Sequence, residues 1–142
     1  MKNSGLLKTS AVLWIVWGVV HVLFGVMIIA GDAGSGIQAI GNGVEVAKMN
    51  YPEVLDAIMN QHGWNLIWFG VATIVGAVYI WKGSMTAIWV SAMVGGLADL
   101  GYFIFLDLGG YVQFVPGTVM TIISLAAILL SSGTYFKNRT NS

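Results

Sequence analysis

Four apolar stretches, each long enough to cross a bilayer as a helix, constrain this chain more than any other feature. They cover residues 11–30, 64–81, 85–106 and 114–136. The first has no charge, the second stops at Lys82, the third holds a single charge at Asp99, and Lys137 and Arg139 follow the fourth. A hydrocarbon core of ~30 Å takes about 20 helical residues. Only helices and closed barrels satisfy the backbone at that depth, and barrel-type alternation is absent. Charged residues make up 8% of the chain, against about 25% in a soluble domain. That is too few to coat a surface facing water. The sequence therefore predicts an all-α polytopic membrane protein, a single membrane domain of residues 1–142 built as a four-transmembrane-helix bundle.

The basic residues set an orientation. With four spans, Lys2, Lys8, Lys82, Lys137 and Arg139 share one side and Lys48 alone lies on the other, with Asp32, Glu45, Glu53, Asp56 and Asp107. The positive-inside tendency then puts both termini in the cytoplasm of a bacterial-type inner membrane. The apolar run of the first span exceeds that of a cleaved leader and reads as an uncleaved signal-anchor. No basic tract invites nucleic acid. No cysteine is present, which excludes disulfides, thiol catalysis and iron–sulfur clusters.

Residues 31–63 form the extracytoplasmic loop of this scheme. "GDAGSGIQAIGNG" reads as irregular chain. "NYPEVLDAIMNQHG" reads as a short amphipathic helix at the outer surface: Pro52, Glu53 and Asp56 suit its first turn, and Leu55, Ile58, Met59 and His62 share a face. It leads through Gly63 into the second span and is either a packing lid or a gate. "LFGV" at 23–26 and "WFGV" at 68–71 echo one another. The echo is too short for an inverted-repeat transporter and reads as composition.

Ionisable residues at membrane depth are costly and invite a functional reading. Two lie deep here: His21, within "GVVHVLFG", and Asp99. Counting rise from the cytoplasmic entrances places His21 ~15 Å in and Asp99 ~21 Å in. An offset of ~6 Å is closed by side-chain reach where the two helices are neighbours. His62 and Asn65 lie at the outer entrance of the second span, and Tyr102 is one turn beyond Asp99. The stripes Trp14, Trp17, Gly18, His21, Phe24, Gly25, Ile28 and Ala92, Gly95, Gly96, Asp99, Tyr102, Phe103 carry small residues that allow close helix approach. Gly117, Thr121, Ser124 and Ser131 form a similar face on the fourth span.

His21, Asp99, His62, Asn65 and Tyr102 are thus the candidate ligand- or proton-binding residues, and no catalytic set is evident. His21, His62 and Asp99 make a two-histidine, one-carboxylate set for a metal-dependent membrane enzyme, although no local motif supports it. His21 with Asp99 also suits a proton-coupled small-molecule transporter. The reading that asks for least chemistry is an accessory or assembly subunit, or a protein binding a hydrophobic ligand. Its partners are then the lipid bilayer and a second copy or larger membrane complex. The sequence requires no cofactor.

Overall fold

A computed structural model describes residues 5–41 and 48–140 of the chain, with side chains as far as Lys137. Lys2, Glu45 and the side chain of Arg139, used above for orientation, lie outside the described residues. The helices are α1 (Gly5–Ala30), α2 (Ala33–Ile40), α3 (Glu53–Trp81), α4 (Met85–Tyr102) and α5 (Val119–Thr140). A short π-type turn, Phe103–Asp107, extends α4, and a bent segment, Phe114–Thr118, with Val115 extended (φ −115°, ψ 125°), precedes α5. Four segments are long and apolar enough to cross a membrane: Gly5–Ala30, Glu53–Trp81, Met85–Asp107 and Phe114–Lys137. The protein is an all-α integral membrane protein, as the hydropathy implies. Its surface bears this out: Leu23, Met93, Leu97 and Leu129 are exposed, while Ser10, Thr73, Ser91, Ser124 and Ser131 are buried. That inversion suits lipid as the solvent, where small and polar residues make the helix contacts.

The short helix between the first two spans exists, but not where the amphipathic pattern placed it. Residues 53–63 are helical and continue without interruption through Gly63, so they form the start of α3. Gly63 does not break the helix because it is a packing residue: a Cβ there would lie 2.8 Å from the carbonyl oxygen of Gly25. At 29 residues, α3 is ~43 Å long and outreaches a ~30 Å core. The separate short helix is α2, in the segment expected to be irregular. A capping box starts it: the Ser35 backbone N–H donates to Asp32 Oδ1 (2.8 Å), and the Asp32 backbone N–H donates to Ser35 Oγ (3.0 Å). The Ala33 N–H donates to Asp56 Oδ1 at 2.6 Å, tying α2 to α3. Its glycines reflect proximity to neighbours; a Cβ on Gly36 would meet Met59 Cε at 3.0 Å and Ile28 Cγ2 at 3.4 Å. A β-bridge from Gly41 to Val112 fixes its other end to the α4–α5 connection.

The four long helices form a ring in which α1 packs on α3 and α5, and α4 packs on α3 and α5. Helices α1 and α4 therefore face each other diagonally and are not neighbours, contrary to the simplest way of bringing His21 to Asp99. The most extensive contact is α1 with α3, and glycine makes it. Gly18 meets Gly70 and Gly25 meets Gly63; a Cβ on Gly18 would lie 2.6 Å from the Gly70 carbonyl oxygen, and one on Gly70 would overlap the Gly18 carbonyl. The echo between residues 23–26 and 68–71 thus has a structural cause beyond composition. Each helix carries glycines seven residues apart, 18 and 25 against 63 and 70, and the antiparallel pair interlocks them.

At the end that holds the α3–α4 turn, the bundle is solid. Leu7, Ala11, Trp14, Trp17, Ala77, Ile80, Ile88 and Ala127 form one buried cluster. Trp14 lies against Gly95, where a Cβ would overlap its ring. Ser10 Oγ of α1 and Ser131 Oγ of α5 both donate to the Ala127 carbonyl at 2.8 Å. Lys8 sits 5.4 Å over the Trp81 ring, and Lys82 sits 5.5 Å over Tyr79. Such basic and aromatic pairs are typical of a membrane–water boundary. The opposite end, with α2 and the α4–α5 connection, is built differently.

Candidate functional site

In the connection half the four helices part around a cavity of about 420 Å³. Val20, Phe24, Leu66, Phe69, Ala98 and Phe105 are among its apolar walls, and Ala39 and Ile40 of α2 close part of it. Its polar lining comes from His21, His62, Asp99, Tyr102 and Gln113. Four of the five candidate residues therefore border one space. Asn65 does not: its Oδ1 accepts from Trp68 Nε1 at 3.2 Å, away from the cavity lining.

His21 and Asp99 come together across the bundle, with Nε2 4.0 Å from Oδ1. That separation exceeds the normal hydrogen-bond range, yet the two side chains are only 13% and 8% exposed. Trp17 spans the diagonal gap between them. Its indole Nε1–H donates to Asp99 Oδ2 at 2.7 Å. One turn along α1, its carbonyl accepts from His21 Nδ1 at 2.8 Å, and its ring stacks on the imidazole with centroids 3.5 Å apart. The i, i+4 spacing of Trp17 and His21 permits all of these contacts at once. Ser124 of α5 also faces the carboxylate.

The hydrogen bond to Trp17 determines the histidine tautomer. A carbonyl can only accept, so Nδ1 carries the ring proton. The neutral imidazole then turns the lone pair of Nε2 toward Asp99. Sequence reasoning placed Trp17 on the His21 stripe but did not assign it to the site. The available signal was a buried indole N–H, which normally takes a partner. Gln113 lies in the α4–α5 connection, and no periodicity marks it.

Tyr102 borders the same space, with its hydroxyl against Gly117 where a Cβ would overlap it. The π-type turn that follows Tyr102 is held by Leu108 N–H to Phe103 O at 2.9 Å, and Thr118 Oγ1 donates to Asp107 Oδ1 at 3.0 Å, joining this turn to the bent segment before α5. Wide turns of this kind recur at functional sites. Among the described residues no group of three or more His, Asp or Glu side chains is arranged to hold a metal ion. His62 shares the cavity with His21 and Asp99 without completing a ligand set.

No protein-family model, curated protein or solved structure matches this chain.

Proposed function

We propose that this protein binds a small hydrophobic molecule inside the membrane, with its polar end at His21 and Asp99. The observation that carries this reading is the cavity itself. Its volume of about 420 Å³ falls within the ~300–1,000 Å³ of ligand pockets, and its lining has the usual character of one: mostly apolar walls with a few convergent polar groups. Helix α2, tied at its start to Asp56 and at its end to Val112, acts as the cover, the role first assigned to residues 51–62. The grouping of Lys8, Lys82 and Lys137 at one end, against Asp32, Glu53, Asp56 and Asp107 at the other, supports cytoplasmic termini and a cavity toward the outer leaflet.

An accessory subunit would offer glycine-lined faces to a partner helix. Those faces are occupied within the bundle. Gly18, Gly25, Gly63 and Gly70 close on each other, Gly95 lies under Trp14, and Gly96 lies by Ile128.

Native mass spectrometry of protein purified in mild detergent tests the proposal. The wild type is expected to retain one small apolar adduct. Gly101 lines the cavity, and a Cβ there meets nothing within 4 Å, so Gly101→Phe fills space and releases the adduct. Identical adduct patterns in the two proteins contradict a binding role for this cavity.

A further inference from the structure

We propose that the ligand carries one protonated amine, which docks between His21 and Asp99 and displaces a proton held by the pair; this rests on the cavity being a binding site. With Nδ1 of His21 donating to Trp17 and Oδ2 of Asp99 accepting from Trp17, two positions remain. They are Nε2 and Oδ1, 4.0 Å apart on residues that line the cavity. In a neutral imidazole and an ionised carboxylate both are acceptors, and one donor placed between them serves both, beside the Ser124 hydroxyl that faces the carboxylate.

The charges nearby make that donor positive. Facing the pair are His62 from α3, Tyr102 from α4, Ser124 and Met120 from α5, and Ala39 and Ile40 from α2. Asp107, in the turn after α4, accepts from Thr118 through Oδ1, while its Oδ2 is buried without a partner among the described residues. Among the described residues no lysine or arginine lines the cavity. An uncompensated carboxylate at membrane depth is costly. The pair therefore holds one positive charge at a time, either a proton or a cation that replaces it.

An ammonium head fits this position by its chemistry. It has three donors and no acceptor, and a nitrogen ~2.8 Å from each of two acceptors spans the gap. A hydroxyl offers one donor and no charge, and a carboxylate adds a second negative group. Phe24, Phe69 and Phe105 on the cavity wall accommodate the apolar body. The exchange is balanced: the ammonium enters already protonated, its N–H groups bond to Nε2 and Oδ1, and the proton that one member of the pair held leaves to water.

The test uses the full chain in maltoside detergent with octylamine, octanol and octanoate as probes, and a pH-indicating dye in weak buffer. Octylamine is expected to release close to one proton for each molecule bound. Its affinity then rises about tenfold per pH unit over the range in which the pair is protonated. Octanol binds more weakly and releases none, and octanoate does not compete. Asp99→Asn, which keeps an acceptor for Trp17, loses both the proton release and the preference for amine over alcohol. Where that variant fails to fold, the wild-type pH slope decides, and a flat slope overturns the proposal. Octylamine binding without proton release also overturns it, while octanol binding in that case leaves the pocket reading intact. Failure of all three probes to bind overturns both.

Discussion

The two halves of this bundle use the same four helices for opposite purposes. Toward the α3–α4 turn, Leu7, Ala11, Trp14, Ile80, Ile88 and Ala127 fill the interior. Toward α2, the helices surround about 420 Å³ of space. The difference comes from what faces the small residues of α4. Gly95 receives the ring of Trp14, whereas a Cβ on Gly101 meets nothing within 4 Å. Trp17 stands at the boundary, buried in the packed cluster and bonded to both members of the polar pair. The packed core and the cavity proposed to bind a ligand are thus separated by depth along shared helices rather than placed on different elements.

The comparison is broken most forcefully at the glycine seam. Gly70→Leu drives a side chain into the α1 backbone, so its cost is expected at or beyond the ~1–3 kcal/mol of ordinary overpacking. Gly101→Leu, in the hollow half, is expected to shift stability by less than about 1 kcal/mol. Both are read from unfolding in mixed micelles, and equal costs would erase the distinction between the halves. A large-to-small pair probes it from the other direction. Trp14→Ala should cost ~3–5 kcal/mol, and Phe24→Ala less than half of that because Phe24 already borders a void. Trp17→Phe, at the boundary, removes the donor to Asp99 and is expected to cost ~1–3 kcal/mol. In an Asp99→Asn background the cost should shrink, a coupling that a double-mutant cycle measures.

The smallest effect concerns the cover. The Ser35 backbone N–H and then its hydroxyl hold the Asp32 carboxyl below its ordinary range. A carboxyl depressed on folding stabilises above its unfolded pKa and loses that contribution as pH falls through the folded value. Protection of the α2 amides, taken relative to the intrinsic exchange rate at each pH, should therefore fall in acid in the wild type. Asp32→Asn should lack this acid-dependent loss of protection, and an identical pH response in both would remove Asp32 from the account.

Much of the architecture was legible because lipid imposes long apolar spans, and the only deep carboxylate proved to be part of the polar cluster. What escaped detection depended on partners distant in sequence. The glycines of 31–43 suggested an irregular chain, yet Gly36 supports close packing of α2 on Ile28 and Met59. The proline, acids and apolar face of 52–62 suggested a separate helix, yet Gly63 is held in α3 by Gly25. Asn65 matched the depth expected of a site residue but bonds Trp68 on its own helix. The role of Trp17 depends on α1 and α4 being diagonal, which no single helix pattern encodes.

The central claim is that the wall of the hollow half holds a tautomerically fixed His21 whose Nε2 is open to a ligand. Nitrogen-15 NMR of the His21 ring in lipid, recorded before and after adding octylamine, tests it most directly. The account predicts a protonated Nδ1 in both spectra, with the Nε2 resonance moving to that of a bare, hydrogen-bond-accepting nitrogen when the amine binds. A ring protonated at Nε2 and bare at Nδ1, or a pair of resonances indifferent to the amine, would contradict it.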